Sequence, residues 1–399
     1  FWNRYSGNSS ELRIRRDSGA AAMKILTLSN SSLIESQGSG YVILNFANGI
    51  RSLGHDITLI GPDETVLLPG VGNARSLRLA LGMWKSASDL AGKLNPDIIE
   101  FYGGEAWLAT DRLSRRRGRT FRIVAHSNGI ETFKAETLKR YKLPDTADGR
   151  PPKWYQGHLR LPVKKAFVKA DAVVTVSQRE ADYVVDAGFQ PSERVLAINN
   201  ALSEQFLGQP FQNDRPRVIG FCGSWLKNKG IDLIVEDVTA VLRLERQWKL
   251  HLVGGGSEFR AETYFPRDVL PQVLVTSFVA DKSELRRLYH SWAIALMPSI
   301  YESFGLVAAE ALSCGCALIA SNTGFPAELK HEAEFLLLPQ PASPHLYNAI
   351  LRLIRNEPLR VRIAQGGWRH VQKLRWNESV KSLESFYTEV LKMDPHLDR

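Results

Sequence analysis

The sequence has little cysteine and no long apolar run. Its 399 residues include only three cysteines, Cys222, Cys314 and Cys316, and none has neighbours at metal-ligand spacing. So few cysteines, in an odd number, exclude a disulfide-stabilised secreted protein and favour a reducing compartment. No apolar run reaches the roughly 18 residues that span a bilayer, and no segment has the pattern of a secretory signal. We therefore expect a cytoplasmic protein, either soluble or peripheral to the inner face of a membrane.

A complete dinucleotide-binding motif is also missing. The glycines at Gly254-Gly-Gly256 lack the full Gly-x-Gly-x-x-Gly spacing and the acidic residue about 20 positions later that would hold a cofactor ribose. We interpret them as a turn that lets a ligand approach the backbone. The sequence predicts no bound cofactor.

Short apolar strands alternate with helical patterns in two series from Met23 onward. The first series is predicted at 24–28, 56–60, 97–101, 123–126 and 172–176, and the second at 218–222, 249–253, 272–278, 294–297 and 317–319. Such alternation predicts parallel sheets with helices on both faces, and so an α/β protein. Two such Rossmann-like domains also suit a NAD-dependent oxidoreductase.

The same pattern predicts how the chain is divided. We expect an N-terminal domain at 23–208 and a C-terminal domain at 209–376, joined by the polar segment 199–216. A final helical segment has apolar residues at helical spacing. Residues 1–22 show no periodicity and are predicted to be disordered or foreign to the natural chain.

Positive charge is concentrated in the first domain. By direct count, residues 101–170 hold 16 lysines and arginines against 6 acidic residues, a balance of +10, whereas the whole chain carries +9. The run 112–119 and the cluster 153–169, with Trp154, Tyr155 and Phe167, predict contact with anionic lipid headgroups or an anionic acceptor. A solvated basic face is an equal alternative. No nucleic-acid recognition module accompanies the charge, so we expect no nucleic-acid partner.

The most informative segment is 298–312, in which two glutamates eight residues apart flank a Ser-Phe-Gly turn. An apolar strand precedes the turn and helix formers follow it, which places the turn at the carboxyl end of a strand. Backbone N–H groups at such a helix start are unpaired and attract phosphate. Glu310, in the second turn, leans back toward the helix start, where it could reach a ribose or sugar. The segment predicts an anionic-ligand site.

This segment resembles the donor-binding motif of retaining, nucleotide-sugar-dependent glycosyltransferases of family 4, the glycosyl transferases group 1, which have the GT-B fold. Three further segments resemble the family's phosphate loop, glycine turn and base-binding loop: 220–234, 250–256 and 275–285. The N-terminal half is similar at 23–29, 38–40, 53–61, 123–126 and 171–177. The resemblance covers about 23–390 and implies two Rossmann-like domains facing a central cleft, with residues 377–399 crossing back to the first domain.

The resemblance also implies substrates and site residues. A UDP- or GDP-sugar would be held mainly by the second domain, and a glycan or lipid-linked acceptor by the first, in polysaccharide or glycolipid biosynthesis. The implied catalytic residues are Glu302, His126 and Lys229. The implied donor-binding residues are Gly38, Gly223, Ser224, Lys229, Val279, Glu302, Ser303, Phe304, Gly305, Leu306, Val307 and Glu310. No metal is expected, because no Asp-x-Asp pair lies beside these motifs.

Each implied residue has a role. Lys229 and the helix start would neutralise the diphosphate, and the main chain near Val279 would read the base. Glu310 would hold the ribose and Glu302 the sugar, while His126 would approach the reacting sugar from the first domain.

One departure from the family pattern affects the phosphate loop. Ser224 stands where the family usually has arginine, and Lys227 is the candidate replacement. Several alternative functions stay open at this point: a nucleotide-sugar epimerase or phosphorylase on the same fold, the oxidoreductase, and a nucleic-acid or membrane adaptor. The sequence does not fix the sugar, the base or the acceptor, and it assigns no catalytic base.

Overall fold

The computed structural model describes residues 22–35, 38–65, 75–142, 162, 164–339 and 344–393. Within these ranges the chain forms two six-stranded sheets in which every neighbouring pair of strands is parallel. Helices cover the faces of both sheets, so the predicted fold class, two Rossmann-like domains, is confirmed.

The first sheet has the strand order β2-β1-β3-β4-β5-β6. Its strands are β1 (Lys24–Ser29), β2 (Asp56–Ile60), β3 (Ile98–Tyr102), β4 (Arg122–His126), β5 (Ala172–Thr175) and β6 (Val195–Ala197). The helices of this half are Gly38–Ser52, Pro62–Thr65, Arg75–Leu94, Trp107–Ser114, Glu131–Arg140 and Gln178–Asp186. Strand β3 is buried along its whole length, as expected for a strand covered on both faces.

The second sheet has the order β12-β11-β10-β7-β8-β9. Its strands are β7 (Val218–Cys222), β8 (Lys249–Val253), β9 (Val273–Thr276), β10 (Ile294–Met297), β11 (Ala317–Ser321) and β12 (Leu336–Leu338). Its helices are Ile231–Leu233, which continues through the π-helical Ile234–Val238 into Thr239–Leu244, then Lys282–His290, Leu306–Ser313, His345–Arg355 and Glu357–Val371. The edge strands β6 and β12 have three residues each, too few for a periodic signal, and were not predicted.

Part of the predicted linker is packed rather than free. Phe206 and Leu207 are buried in the core of the second domain beside Tyr289 and Trp292. Their burial fixes the path of the chain between the two sheets.

The C-terminal helix, Trp376–Lys392, returns to the first domain. Val380, Leu383, Tyr387 and Val390 are buried in the same core as Phe46 of helix Gly38–Ser52. The two helices approach closely at Gly49, where a Cβ atom would lie 2.3 Å from Val380 Cγ2. Glycine at this position is therefore what permits the crossing.

A buried carboxylate joins this helix to the first sheet. Glu100, on β3, accepts hydrogen bonds from the Tyr387 hydroxyl at 2.6 Å and the Thr27 hydroxyl at 2.7 Å. Its Oε1 also lies 2.7 Å from His126 Nε2 on β4. Burial opposes ionisation, but His126 and the two hydroxyl donors outweigh it and hold the pKa of Glu100 below its ordinary value.

In the part of the chain that the structure describes, none of the helices combines the length and the apolar character that a bilayer crossing requires.

Tyr387→Phe is expected to destabilise the first domain, because it removes one donor from the fully buried Glu100 carboxylate. The loss of such a hydrogen bond to a charged group costs about 1–3 kcal/mol, which lowers the melting temperature by several degrees. Differential scanning fluorimetry measures it. The matched control is Tyr264→Phe, a tyrosine 40% exposed on the second domain. Equal melting temperatures for the two variants would contradict the role of Glu100.

Candidate active site at the interdomain cleft

A cavity of about 420 Å³ lies where the carboxyl ends of the two sheets meet. Open α/β sheets bind ligands at this edge. Most of the predicted site residues line the cavity: Gly38, Gly223, Ser224, Lys229, Glu302, Ser303, Phe304, Gly305, Leu306 and Val307. The structure therefore brings together residues that are up to 269 positions apart in the chain, from Gly38 to Val307.

The Ser-Phe-Gly turn forms as the sequence predicts. Gly305 has a φ of 89° and caps helix Leu306–Ser313, a left-handed conformation that favours glycine. Phe304 anchors the turn because its ring is buried against Phe325 at a centroid distance of 5.3 Å. Leu306 and Val307, the first two residues of the helix, line the cavity, and N–H groups at a helix start have no carbonyl partner within the helix, so this end suits an anion.

Lys229 and Glu302 form an ion pair in the cavity wall. The Lys229 Nζ atom lies 2.5 Å from Glu302 Oε1, and the Ser299 hydroxyl donates to the same oxygen at 2.8 Å. Gly230, directly after the lysine, has a φ of 77°, and a Cβ atom there would lie 2.4 Å from the carbonyl oxygen of Pro298. This close approach holds the loop that carries Lys229 against the loop that carries Glu302.

Glu310 and Val279 do not line this cavity. Glu310 is buried, and its carboxylate pairs with Lys282 Nζ at 2.7 Å and accepts from the Tyr289 hydroxyl at 3.0 Å. Val279 is half-buried and packs against the core of the second domain. A ligand would have to displace Lys282 to reach the Glu310 carboxylate, so its ribose role stays a prediction, as does base recognition near Val279.

The side chain of His126 does not face the cleft as expected, and its role beside the reacting sugar stays a prediction. It ends β4 as predicted, but its side chain is 3% exposed and is absent from the cavity lining. The ring is held by Glu100 and lies 4.5 Å, between ring centroids, from Tyr102. Because the buried Glu100 carboxylate requires a donor, His126 is drawn into the first domain instead of facing the cleft.

The role of Lys227 as a replacement for the missing arginine also stays a prediction. Lys227 is exposed, lies outside the cavity lining and is 3.9 Å from Asp232 Oδ2. A cation that the sequence reasoning missed is Lys134, on helix Glu131–Arg140 of the first domain. Burial and the positive charge of Lys229 lower the pKa of Lys134, and the negative charge of Glu302 opposes that shift. Lys134 therefore lies within the electric field of the Lys229–Glu302 pair.

Two asparagines of the first domain were missed as well. Asn128 and Asn200 line the cavity, and among the described residues neither the Asn128 Nδ2 atom nor the Asn200 Oδ1 atom has a hydrogen-bond partner. Asn200 is only 5% exposed, so its unpaired oxygen is costly unless a ligand meets it. One donor and one acceptor on this wall suit the hydroxyl groups of a sugar. In the sequence, the one feature that pointed to these two asparagines is that each follows a strand.

Glu131 is a further group without a sequence signal. Its Oε1 accepts from the backbone N–H of Gly104 at 3.3 Å, while Oε2 has no partner among the described residues. Burial, reinforced by the nearby Glu105 charge, raises the pKa of Glu131 to about 7. A carboxyl of that pKa can gain or lose a proton at neutral pH.

Two residues of the predicted basic face are buried. Phe167 is 1% exposed and belongs to the core. Arg119 is buried and pairs with Asp171 at 2.5 Å. Trp154, Tyr155 and Lys153 lie outside the described residues, whereas Arg115, Arg116 and Arg117 are exposed.

The described ranges contain three free cysteines, Cys222, Cys314 and Cys316. No group of three or more His, Cys, Asp or Glu side chains is placed there to hold a metal ion. Cys222 lines the cavity as an unpaired cysteine, and burial raises the pKa of its thiol to about 12. It is therefore not a nucleophile at neutral pH.

Two family models match the chain, one for each half. The model described as Glycosyltransferase Family 4 matches residues 36–206, and the model described as Glycosyl transferases group 1 matches residues 216–356. The first model covers β2 to β6 of the first sheet, and the second model covers β7 to β12.

Curated relatives include two D-inositol 3-phosphate glycosyltransferases. The protein from Corynebacterium jeikeium is 30% identical over 197 residues, which cover 47% of this chain and 46% of the relative. The protein from Saccharomonospora viridis is 27% identical over 283 residues, 64% of each chain. The chain therefore spans about half to two thirds of the length of these relatives.

Solved structures of similar fold cover nearly the whole chain. Sucrose-phosphate synthase from Thermosynechococcus elongatus has a TM-score of 0.72 at 17% identity and covers 92% of this chain and 99% of its own. Anabaena HepE in complex with UDP and glucose has a TM-score of 0.65 at 17% identity, with coverage of 92% and 100%. At these identities the likeness establishes the fold.

Proposed function

The chain belongs to the GT-B glycosyltransferases that combine a family 4 domain with a group 1 domain, and we propose that it transfers a sugar from a UDP- or GDP-sugar to a glycan or lipid-linked acceptor. We further propose retention of configuration and a role in polysaccharide or glycolipid biosynthesis. The observation that carries the proposal is the Lys229–Glu302 pair beside the start of helix Leu306–Ser313, in one cavity.

The geometry supports separate roles for Lys229 and Glu302 within the cavity. A diphosphate placed at the helix start would attract Lys229 away from Glu302 and leave the carboxylate free to accept from sugar hydroxyls. Negative charge grows on the diphosphate as the glycosidic bond breaks, and a fixed lysine with unpaired N–H donors stabilises that charge. Asn128 and Asn200 would meet hydroxyls from the first-domain side.

The relatives favour a UDP-linked donor. HepE structures contain UDP, UDP with glucose, or UDP-glucose. The alternatives of an epimerase, a phosphorylase or an oxidoreductase have no support among the matched proteins. We propose that the first domain holds the acceptor.

The Glu310→Gln and Glu302→Gln variants are predicted to lose sugar-transfer activity for different reasons. The Glu310 change should weaken binding of the free diphosphate, UDP or GDP, by about 10- to 100-fold, since hydrogen bonds from ribose to a charged group are lost. The Glu302 change should leave that affinity nearly intact and lower the rate of donor hydrolysis. Calorimetry and a hydrolysis assay measure the two effects.

Glu357→Gln, an exposed glutamate of the second domain, is the control for these variants. Equal losses of diphosphate affinity in the Glu302 and Glu310 variants would contradict the separate roles.

We also propose that no metal ion or other cofactor takes part, since Lys229 and the helix N–H groups supply the positive charge that a divalent ion supplies elsewhere. Donor hydrolysis is expected to keep most of its rate after treatment with EDTA and gel filtration. Lys229→Met should abolish it with or without added Mg²⁺ or Mn²⁺. A rate that EDTA removes and a single divalent ion restores would contradict this role of Lys229.

We propose that the exposed arginines of the first domain dock the enzyme on anionic membrane. Each basic residue near such a surface adds about 1 kcal/mol, and salt screens the attraction as the Debye length falls from about 10 Å at 0.1 M to about 3 Å at 1 M. Replacing Arg115, Arg116 and Arg117 with serine should reduce co-sedimentation with anionic liposomes at 0.1 M salt. Arg119 is spared because it is buried with Asp171.

The control for docking removes the same charge from the second domain, through Arg243→Ser, Arg246→Ser and Lys249→Ser, all exposed residues. Equal loss of binding in both triple variants, or no binding of the wild type, would contradict docking through the first domain.

A further inference from the structure

A second cavity, of about 250 Å³, adjoins the first along the cleft. Ser299 lines both cavities, so the two meet at the residue that donates to Glu302. The first domain contributes helices Glu131–Arg140 and Gln178–Asp186 to this second cavity, and the second domain contributes the chain after β10, β11 and β12. We call it the β11 cavity.

Strand order places the β11 cavity on the side away from the phosphate loop. The second sheet runs β12-β11-β10-β7, and the loop with Lys229 follows β7. A donor that has its diphosphate near β7 and its sugar near Glu302, after β10, leaves the positions after β11 and β12 for the next group along the cleft. That group would belong to the acceptor.

A buried hydroxyl without a partner points to a ligand in the β11 cavity. Ser321, the last residue of β11, lines the cavity and is 4% exposed. Its Oγ atom has no hydrogen-bond partner among the described residues. Native proteins seldom leave such a group unpaired, because burial without a partner costs free energy. A ligand oxygen in the cavity would supply the missing partner.

Charge in the β11 cavity favours an anion. Arg140 and Arg179 line it from the first domain, and Glu136 is the acidic residue among the described lining. The Glu136 carboxylate already accepts from the Tyr183 hydroxyl at 3.0 Å. Arg179 uses one of its five donors on the carbonyl oxygen of Asn322, at 2.7 Å, and Arg140 has no carboxylate partner among the described residues.

Aromatic rings form part of the same wall. Phe133 and Tyr183 stack with ring centroids 4.5 Å apart, and Arg179 lies 6.0 Å from the Phe133 centroid. Tyr141 also lines the cavity and is 42% exposed. Rigid aromatic surface beside guanidinium groups suits a ring-shaped ligand that carries a negative charge.

We propose that the β11 cavity is an acceptor subsite that binds a sugar carrying a phosphate or a carboxylate group. The proposal rests on the proposed function, because it identifies the acceptor from its place beside the donor site. Arg140 would pair with the anionic group, and Ser321 would donate a hydrogen bond to it or to a sugar oxygen. The acceptor would then bridge the two domains next to Glu302.

The test is binding of glucose 6-phosphate, glucuronate and glucose to the full chain, by saturation-transfer NMR without nucleotide. At least one anionic sugar should bind about 10-fold or more tightly than glucose, the strength of one hydrogen-bonded charge pair. Arg140→Gln should reduce its affinity to that of glucose, and Arg140→Lys should restore part of it. Which anionic sugar binds identifies phosphate or carboxylate as the preferred group.

Ser321→Ala separates binding from folding. Since the hydroxyl is unpaired in the free protein, its removal should leave the melting temperature unchanged or raise it, while anionic-sugar affinity falls. Arg116→Gln, the same change at an exposed arginine of the same domain, is the control. Equal binding of all three sugars, or equal effects of Arg140→Gln and Arg116→Gln, would overturn the subsite.

UDP and GDP binding distinguishes this proposal from the proposed function. Arg140→Gln should bind the nucleoside diphosphate as the wild type does, since it lies outside the donor cavity. If neither diphosphate binds the wild type, the donor assignment fails, whereas the sugar measurements still decide whether the β11 cavity binds an anion.

Discussion

The ion pair between Lys229 and Glu302 is the interaction on which the candidate site depends. It joins the loop after β7 to the loop after β10, and it forms because Gly230 lets these two backbone segments approach closely. A Cβ atom at Gly230 would lie 2.4 Å from the Pro298 carbonyl oxygen, and one at Gly324 would lie 2.3 Å from the Phe304 carbonyl oxygen. A larger residue at Gly230 would separate the two loops and the charges they carry, and one at Gly324, which follows β11, would displace the loop that carries Glu302. Each member of the pair neutralises the other, and a diphosphate would offer Lys229 a partner of greater charge.

The first domain presents a second wall whose shape is set by buried carboxylates. Glu100 holds His126 and the C-terminal helix through Tyr387. Glu180 is buried, which raises its pKa, and it accepts from Tyr301 across the domain boundary at 2.7 Å. Glu328 makes a matching contact in the opposite direction, because it accepts from the side chain of Asn199 at 2.7 Å. These contacts set the two sheet edges at a distance that leaves a continuous cleft between them.

The two cavities follow one another along that cleft, with Ser299 between them. The first offers a lysine and helix N–H groups, and the second offers two arginines and an unpaired serine hydroxyl. Both cavities therefore attract anions, but the carboxylate of Glu302 lies at their junction, where an uncharged sugar ring would sit. This alternation of charge suits a reaction in which a sugar passes from a diphosphate to an anionic acceptor.

The sequence by itself determined the fold class, the positions of the main strands along the chain and the Ser-Phe-Gly turn, because all of these follow from local periodicity and from residues adjacent in the chain. It also pointed to Lys229 and Glu302, through a resemblance carried by short motifs, and the structure brings these two residues together in one cavity. Only the tertiary structure decided which side chains are buried with partners inside a domain and which remain available to a ligand. His126 pairs with Glu100, Arg119 pairs with Asp171, and Phe167 enters the core, each through partners that the local pattern does not reveal. The same holds for the surroundings of Asn200, Lys134 and Ser321. The neighbours of a side chain at a sheet edge come from segments that are distant in sequence, and these segments meet only when both domains have folded.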